Sequence, residues 1–178
     1  MPNSFPKRAS LRDGRRIVLR PFTDSDTEAL FEFFQRLPPE VRRFAWDRID
    51  DRALVESWGR NIDYDKVFPL LALDGSTIVA DATLHRRQMG PLRLVGRIKW
   101  LVDPEWRNVG LSTIVVNQFI SLARSNGLQH LSTLLISDLE SAAIQVLTDI
   151  GFTATRLPGY GVDPDGGVHD MTFMICKL

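Results

Sequence analysis

The order of strand-like and helix-like segments in the middle of the chain most constrains the fold. Residues 92–102 are typical of a strand that ends at Asp103-Pro104, and residues 110–126 follow the helical period up to Gly127. Residues 131–136 form a compact apolar run that predicts a buried strand. A strand–helix–strand crossover of this kind brings its two strands together as parallel neighbours.

The flanking segments predict a mixed α/β fold. Alternating and periodic apolar residues give a first strand, then short helices, a hairpin around Asp74-Gly75, the crossover, another helix and two last strands. This order predicts an α/β (α+β) chain with a mostly antiparallel sheet flanked by helices. We expect a loose arm over residues 1–12, a single domain over residues 13–178, and a loop over residues 157–167 that is a candidate mobile lid for the substrate.

Composition excludes several classes of function. Lys plus Arg and Asp plus Glu each number 22, so the net charge is zero, whereas a nucleic-acid-binding domain usually carries a basic excess. Cys176 is the one cysteine, which rules out a disulfide within the chain and suits the cytoplasm. No apolar run approaches the ~18 residues of a membrane span, and the three histidines lack metal-ligand spacing. We therefore expect a cytoplasmic protein that binds no nucleic acid, membrane or metal.

The turn that precedes the central helix is the candidate binding site. The first turn of a helix has four N–H groups without internal partners, and these groups bind phosphate readily. Gly110 allows close approach of a ligand because it has no Cβ, and Arg107 adds positive charge. Spacing alone leaves two alternatives open: a phosphate site, or a plain strand-to-helix turn that contains a glycine.

The motif Arg107-x-x-Gly110-x-Ser112, preceded by Val-Asp-Pro, resembles the acyl-CoA motif of the GNAT superfamily of N-acetyltransferases. Residues 131–136, followed by residues 140–152 with the ending Ile-Gly-Phe, resemble the last strand–helix unit of that family. The opening, Leu11-Arg12-Asp13-Gly14 and then Leu19-Arg20-Pro21, is similar to the GNAT domains of bacterial protein-lysine acetyltransferases. The resemblance covers roughly residues 11–178.

The resemblance implies a GNAT-like fold whose two parallel central strands splay apart, with acetyl-CoA or another acyl-CoA as cofactor. Pantetheine would lie between the splayed strands, and a backbone N–H near Leu101 or Val102 would polarise the thioester carbonyl. An amine of a small molecule, a protein lysine or a protein N-terminus would attack directly, and the last strands suggest a homodimer. The implied cofactor-binding residues are Leu101, Val102, Arg107, Asn108, Val109, Gly110, Leu111, Ser112 and Thr113.

Three positions depart from the family pattern. Ser112 replaces the last glycine or alanine of the motif, Leu147 stands where many relatives have a tyrosine that protonates the leaving thiolate, and Arg97 stands where many have a catalytic glutamate. An arginine cannot act as a base at neutral pH. The substitute candidates for a catalytic base are Asp81, His85 and Glu140.

Each candidate base has a structural alternative. Asp81 and its neighbours could form a solvated salt lattice with the basic residues of the next strand, and Glu140 could complement the dipole of the helix that follows it. Two functions therefore stay open. One is acetyl transfer to an amine, and the other is a non-catalytic acyl-CoA sensor or regulatory domain.

Overall fold

The computed structural model describes residues 5–178, which form five helices and eight strands. The helices are α1 (Thr27–Arg36), α2 (Pro39–Arg43), α3 (Arg52–Arg60), α4 (Leu111–Ser125) and α5 (Ser141–Ile150). The strands are β1 (Lys7–Ser10), β2 (Arg16–Pro21), β3 (Val67–Asp74), β4 (Thr77–His85), β5 (Val95–Val102), β6 (His130–Ile136), β7 (Thr153–Val162) and β8 (Val168–Lys177).

The strands form a mixed, mostly antiparallel sheet with one parallel pair, β5 and β6, which confirms the predicted fold class. The chain divides into two compact units. One comprises the chain up to Thr83 together with Trp100–Leu111, and the other comprises Leu84–Lys99 and Ser112–Leu178. A single domain over residues 13–178 stays a prediction. No helix in the described part of the chain combines the length and the apolarity that a membrane span requires.

The first unit is built on three antiparallel strands, β1, β2 and β3, with α1 and α3 contributing apolar side chains to its core. Phe33 and Phe34 of α1 are fully buried, and the ring of Trp58 meets Phe34 edge-on at 6.2 Å. Burying one such phenylalanine stabilises the fold by about 1.5–3 kcal/mol. Leu101, near the end of β5, packs against this core, so the core fixes the strand that leads into the candidate site.

A buried carboxylate joins β2 to the start of α1. Asp26 accepts hydrogen bonds from both terminal nitrogens of Arg20 at 2.6 Å and from the backbone N–H of Thr23 at 2.9 Å. Burial alone would raise the pKa of Asp26, but the bonds from Arg20 and Thr23 outweigh it and bring that pKa below its ordinary value. The carboxylate therefore stays ionised at neutral pH and contributes stability that is lost as the pH falls through its lowered pKa.

The second unit contains the parallel pair and the strands that follow it. The β5–β6 ladder runs from Val95 opposite His130 to Arg97 opposite Ser132 and ends there, whereas β6 pairs with β8 through to Ile136 opposite Met171. A Cβ at Gly96 would lie under 3 Å from three buried leucine side chains, so glycine at this position leaves room for them to pack. The ladder has three residue pairs, so the part of β5 after Arg97 is not paired with β6.

Two segments differ from the sequence-based expectation. Lys7–Ser10 of the expected loose arm is strand β1, which pairs with Arg16–Leu19 of β2, while residues 1–4 of that arm lie outside the described residues. Residues 157–167 are not a loop, because β7 continues to Val162 and then turns tightly into β8. The carboxylate of Asp163 accepts the N–H groups of Asp165 and Gly167 at 2.8 and 2.9 Å, which closes that turn.

Candidate functional site

The turn between β5 and α4 is held from its first residue. The N–H of Asp103 donates to the carbonyl of Val79 at 3.0 Å, and the Asp103 carboxylate accepts the N–H of Glu105 at 3.1 Å. Pro104–Trp106 then form a single 3₁₀ turn, and Trp106 is buried. These bonds place the start of the motif, Arg107, at a defined point of the turn.

Two residues of the motif have left-handed backbone conformations. Asn108 has φ +61° and Gly110 has φ +90°, whereas Val109 between them has a negative φ. Alternation of this kind gathers successive N–H groups into a concavity that binds anions. Within residues 5–178, the N–H groups of Asn108, Val109 and Gly110 have no protein hydrogen-bond partner. The turn therefore presents unsatisfied donors at the head of α4, where the helix dipole also favours negative charge.

The β1–β2 turn supports this loop from the other end of the sequence. The N–H of Arg12 donates to the carbonyl of Val109 at 3.0 Å, and Arg15 donates through Nη2 to the carbonyl of Glu105 at 3.1 Å. The Arg15 guanidinium also lies over the Trp106 ring, 3.9 Å from its centroid. The loop thus keeps its shape through contacts with a turn about 90 residues earlier in the chain.

Two cationic side chains, without counter-charges in the described part of the chain, flank the loop. Arg107 and Arg12 are exposed, and within the described chain neither guanidinium has an ion-pair partner. The first turn of α4 contains no acidic residue that would compete for the free N–H groups. Free donors, two unpaired guanidinium groups and a glycine without Cβ fit a pyrophosphate group.

Some of the remaining expected cofactor residues are buried, and the others are half-buried. Val102 and Leu111 are buried, with Leu111 only 1% exposed as it opens α4. Ser112 and Thr113 are half-buried in the first turn of α4, and Leu101 is half-buried on β5. The buried side chains anchor the segment, so its contribution to binding would come from its backbone.

Asp81 lies half-buried on β4 and already makes a polar or electrostatic interaction, as do Thr83 and His85 on the same strand. Arg97 and Lys99 on β5 are also engaged. Asp81 is therefore not a free carboxylate in this structure.

Glu140 lies between β6 and α5 and has a different environment. Its Oε2 accepts the backbone N–H of Ile136 at 2.6 Å, and its own N–H donates to the carbonyl of Ile136 at 2.9 Å. Burial raises the pKa of Glu140, and the hydrogen bond from Ile136 only partly opposes that rise. A carboxyl whose pKa is raised from its ordinary value towards neutrality is suited to proton transfer near pH 7.

Leu147, at the position where many relatives have a tyrosine, is completely buried on α5. Its carbonyl accepts the N–H groups of Gly151 and Phe152 at 3.1 and 2.9 Å, which ends the helix. This residue therefore has a packing role and supplies no proton donor.

The contact between the β1–β2 turn and the loop of residues 107–110, the candidate phosphate loop, was not predicted from the sequence. The dipeptide Asp13-Gly14 signals a turn, but nothing in the local sequence indicates that the turn meets residues near Val109. The left-handed conformation of Asn108 did have a signal, because asparagine adopts positive φ more readily than most residues.

Comparison with known proteins agrees with this geometry. The acetyltransferase (GNAT) domain family matches residues 16–153. An acetyltransferase of Pseudomonas aeruginosa is 28% identical over 183 aligned positions, which cover 95% of this chain and 87% of that protein.

Several solved structures share the fold. The GNAT domain of PAT from S. lividans superposes with a TM-score of 0.82 at 20% identity, covering 100% of this chain and 99% of that one. The structure of yncA from Salmonella typhimurium, solved with its cofactor acetyl-CoA, gives a TM-score of 0.76 at 22% identity, with coverage of 91% and 94%. The ribosomal-protein-alanine N-acetyltransferase of Brucella melitensis gives 0.76 at 21% identity, with coverage of 90% and 99%. The family match over most of the chain shows that this protein belongs to the GNAT family of acetyltransferases, whose members bind acetyl-CoA.

Proposed function

We propose that this enzyme transfers the acetyl group of acetyl-CoA to a primary amine by direct attack. The observation that carries the proposal is the pair of left-handed residues, Asn108 and Gly110, whose neighbouring N–H groups have no protein partner. These donors and the Arg107 guanidinium would bind the pyrophosphate of the cofactor. Acetyl-CoA supplies the activated acyl group as a thioester.

The exposed edge of β5 would orient the pantetheine arm. The β5–β6 ladder ends at Arg97 opposite Ser132, so the backbone of β5 from Ile98 onward is the place for an added extended chain. The N–H of Leu101 or Val102 would donate to the thioester oxygen and stabilise the negative charge that develops on it. Their side chains pack into the protein core, which would hold these donors in a fixed direction.

Glu140 is our proposed general base, and Asp81 is the second candidate. A lysine-type amine has a pKa near ~10.4 and is mostly protonated at neutral pH, so it must lose a proton before it can attack. Of the two acids, Glu140 is favoured because its raised pKa suits proton acceptance and its Oε1 has no protein partner within residues 5–178. Asp81 is already engaged on β4.

The thiolate of CoA leaves when the new amide bond forms and the thioester bond breaks. Leu147 cannot protonate it, but an ordinary thiol has a pKa near ~8.5, so the thiolate is a competent leaving group without an enzyme acid. The proton taken from the amine by Glu140 then returns to solvent or to the released thiolate.

The acceptor would be an amine of a small molecule, a protein lysine or a protein N-terminus. A similar structure belongs to an enzyme named for ribosomal-protein alanine, so peptides with an N-terminal alanine should be among the amines tested.

Release of free CoA thiol that depends on an added amine tests the proposed reaction. We expect purified enzyme with acetyl-CoA to release thiol faster when an accepting amine is added from a panel of polyamines, amino acids and lysine- or alanine-starting peptides. The rate should rise from pH 6 to pH 9 as the acceptor and the base lose protons. Binding of acetyl-CoA without amine-dependent release at any pH in this range would contradict catalysis and favour a non-catalytic sensor.

A further inference from the structure

The β1–β2 turn, which supports the candidate phosphate loop, also carries an arginine that lies outside the acyl-CoA motif Arg107-x-x-Gly110-x-Ser112. Arg12 follows Leu11 in the β1–β2 turn, and its backbone N–H is fixed to the carbonyl of Val109. A Cβ built on Gly110 would lie 3.4 Å from Nε of Arg12 and 3.5 Å from its Cγ. The Arg12 side chain therefore lies directly beside the glycine around which the free N–H groups are arranged.

The two arginines of this turn have different roles. Arg15 is fully engaged, because its Nε pairs with Asp13 at 2.6 Å and its Nη2 donates to the carbonyl of Glu105. The side chain of Arg12 is exposed, and within the described chain it makes no hydrogen bond or ion pair. A long cationic side chain that lies beside unsatisfied N–H donors and has no counter-charge creates a site for an anion.

We infer that Arg12 binds the pyrophosphate of acetyl-CoA from the Gly110 side of the loop. This inference rests on the proposed cofactor site and assigns a further binding residue to it. The planar guanidinium can donate two parallel hydrogen bonds to neighbouring phosphate oxygens, which a single backbone N–H cannot do. Arg107 and Arg12 would then supply two positive charges to a group that carries two negative charges.

A matched pair of variants tests this role by calorimetric titration of the full-length protein. Arg12→Ala removes the proposed contact, and Arg16→Ala removes an exposed arginine four residues further along the same hairpin. Both variants lose one positive charge. We expect Arg12→Ala to bind acetyl-CoA about tenfold to a hundredfold more weakly, and Arg16→Ala to bind like the wild type.

Titration with 3′-dephospho-acetyl-CoA identifies the phosphate involved. The pyrophosphate assignment predicts the same loss for Arg12→Ala with this ligand as with acetyl-CoA. A loss that disappears with the dephosphorylated ligand would overturn the assignment in favour of the 3′-phosphate. Equal losses of affinity in Arg12→Ala and Arg16→Ala would contradict a specific contact, because the loss would then follow from the removal of a positive charge alone.

Thermal unfolding of the free protein separates binding from support of the loop. We expect Arg12→Ala to unfold at the wild-type temperature, because its side chain has no protein partner within residues 5–178. A lower unfolding temperature together with weaker binding would assign Arg12 a structural role. If the wild type and Arg12→Ala bind acetyl-CoA equally well, the inference about Arg12 is wrong and the proposed function is unaffected. If the wild type does not bind acetyl-CoA, the proposed function is wrong as well.

Discussion

Replacement of Gly110 by alanine is expected to weaken acetyl-CoA binding by about a hundredfold. Gly110 has φ +90°, which costs an alanine about 1–2 kcal/mol, and the added Cβ would lie 3.4 Å from Arg12. Relaxation of the backbone to negative φ would remove that strain but turn the neighbouring N–H groups away from the phosphate. The relaxed backbone loses at least one charge-assisted hydrogen bond to the cofactor, and in the unrelaxed backbone the added methyl group hinders the close approach of the ligand. Calorimetric titration measures the loss directly.

Gly127→Ala is the matched control for backbone strain. Gly127 follows α4, has φ +71°, and a Cβ built on it meets no atom within 4 Å. Both variants should lose similar unfolding stability, about 1 kcal/mol, because both place alanine in a left-handed conformation. Only Gly110→Ala should lose affinity for acetyl-CoA. Equal affinity losses in the two variants, or none in either, would contradict a specific phosphate site at Gly110.

Replacement of Glu140 by glutamine is expected to lower kcat by about a hundredfold while the KM for acetyl-CoA changes little. Glutamine keeps an oxygen that can accept the N–H of Ile136 but cannot take a proton from the amine. In the variant, the dependence of the rate on pH should reduce to that of the amine alone. Steady-state rates from pH 6 to pH 9 with a fixed accepting amine measure both effects.

The stability of Glu140→Gln should move in the opposite direction from its activity. Burial raises the pKa of Glu140, so the folded state favours the protonated form, and this preference stabilises the protein below the ordinary glutamate pKa and is lost as the pH rises through the raised pKa. Above the raised pKa the wild type carries the cost of a buried charge that the glutamine variant lacks. We therefore expect the unfolding temperature of the variant, relative to the wild type, to increase as the pH rises.

Two further carboxylate variants complete this test. Asp149→Asn changes an exposed carboxylate on α5, the helix that follows Glu140, and should leave the rate unchanged. Asp81→Asn tests the second candidate base on β4. A large fall in kcat for Asp81→Asn with a normal rate for Glu140→Gln would overturn our choice between the two.

The sequence predicted the crossover because its signals are local. Apolar runs, the helical period and the glycine after the crossover helix all depend on neighbouring residues, and α4 spans Leu111–Ser125 where residues 110–126 were predicted. The parallel pairing of β5 and β6 followed from the handedness and length of the crossover. The prediction of a phosphate site at residues 107–112 has the same local basis, since it depends on the start of a single helix.

The elements that the sequence did not predict depend on residues that are distant along the chain. Strand β1, with the sequence Lys-Arg-Ala-Ser, has little apolar pattern and exists because β2 pairs with it. The residues of β7 from Leu157 to Gly161 include proline and glycine, yet they form a strand because a shift in the β7–β8 register accommodates them. The contact of Arg12 with Val109 and the raised pKa of Glu140 arise from packing, which no local pattern reveals.

Calorimetric titration of acetyl-CoA into the wild type and into Arg107→Glu shows whether the turn from Arg107 to Ser112 binds the pyrophosphate of the cofactor. Arg107 is exposed and has no ion-pair partner within the described residues, so the charge reversal should leave the fold intact. We expect micromolar binding to the wild type and affinity weaker by about tenfold or more in the variant. A wild-type protein that shows no binding at millimolar acetyl-CoA, or a variant that binds equally well, would contradict pyrophosphate binding at this turn.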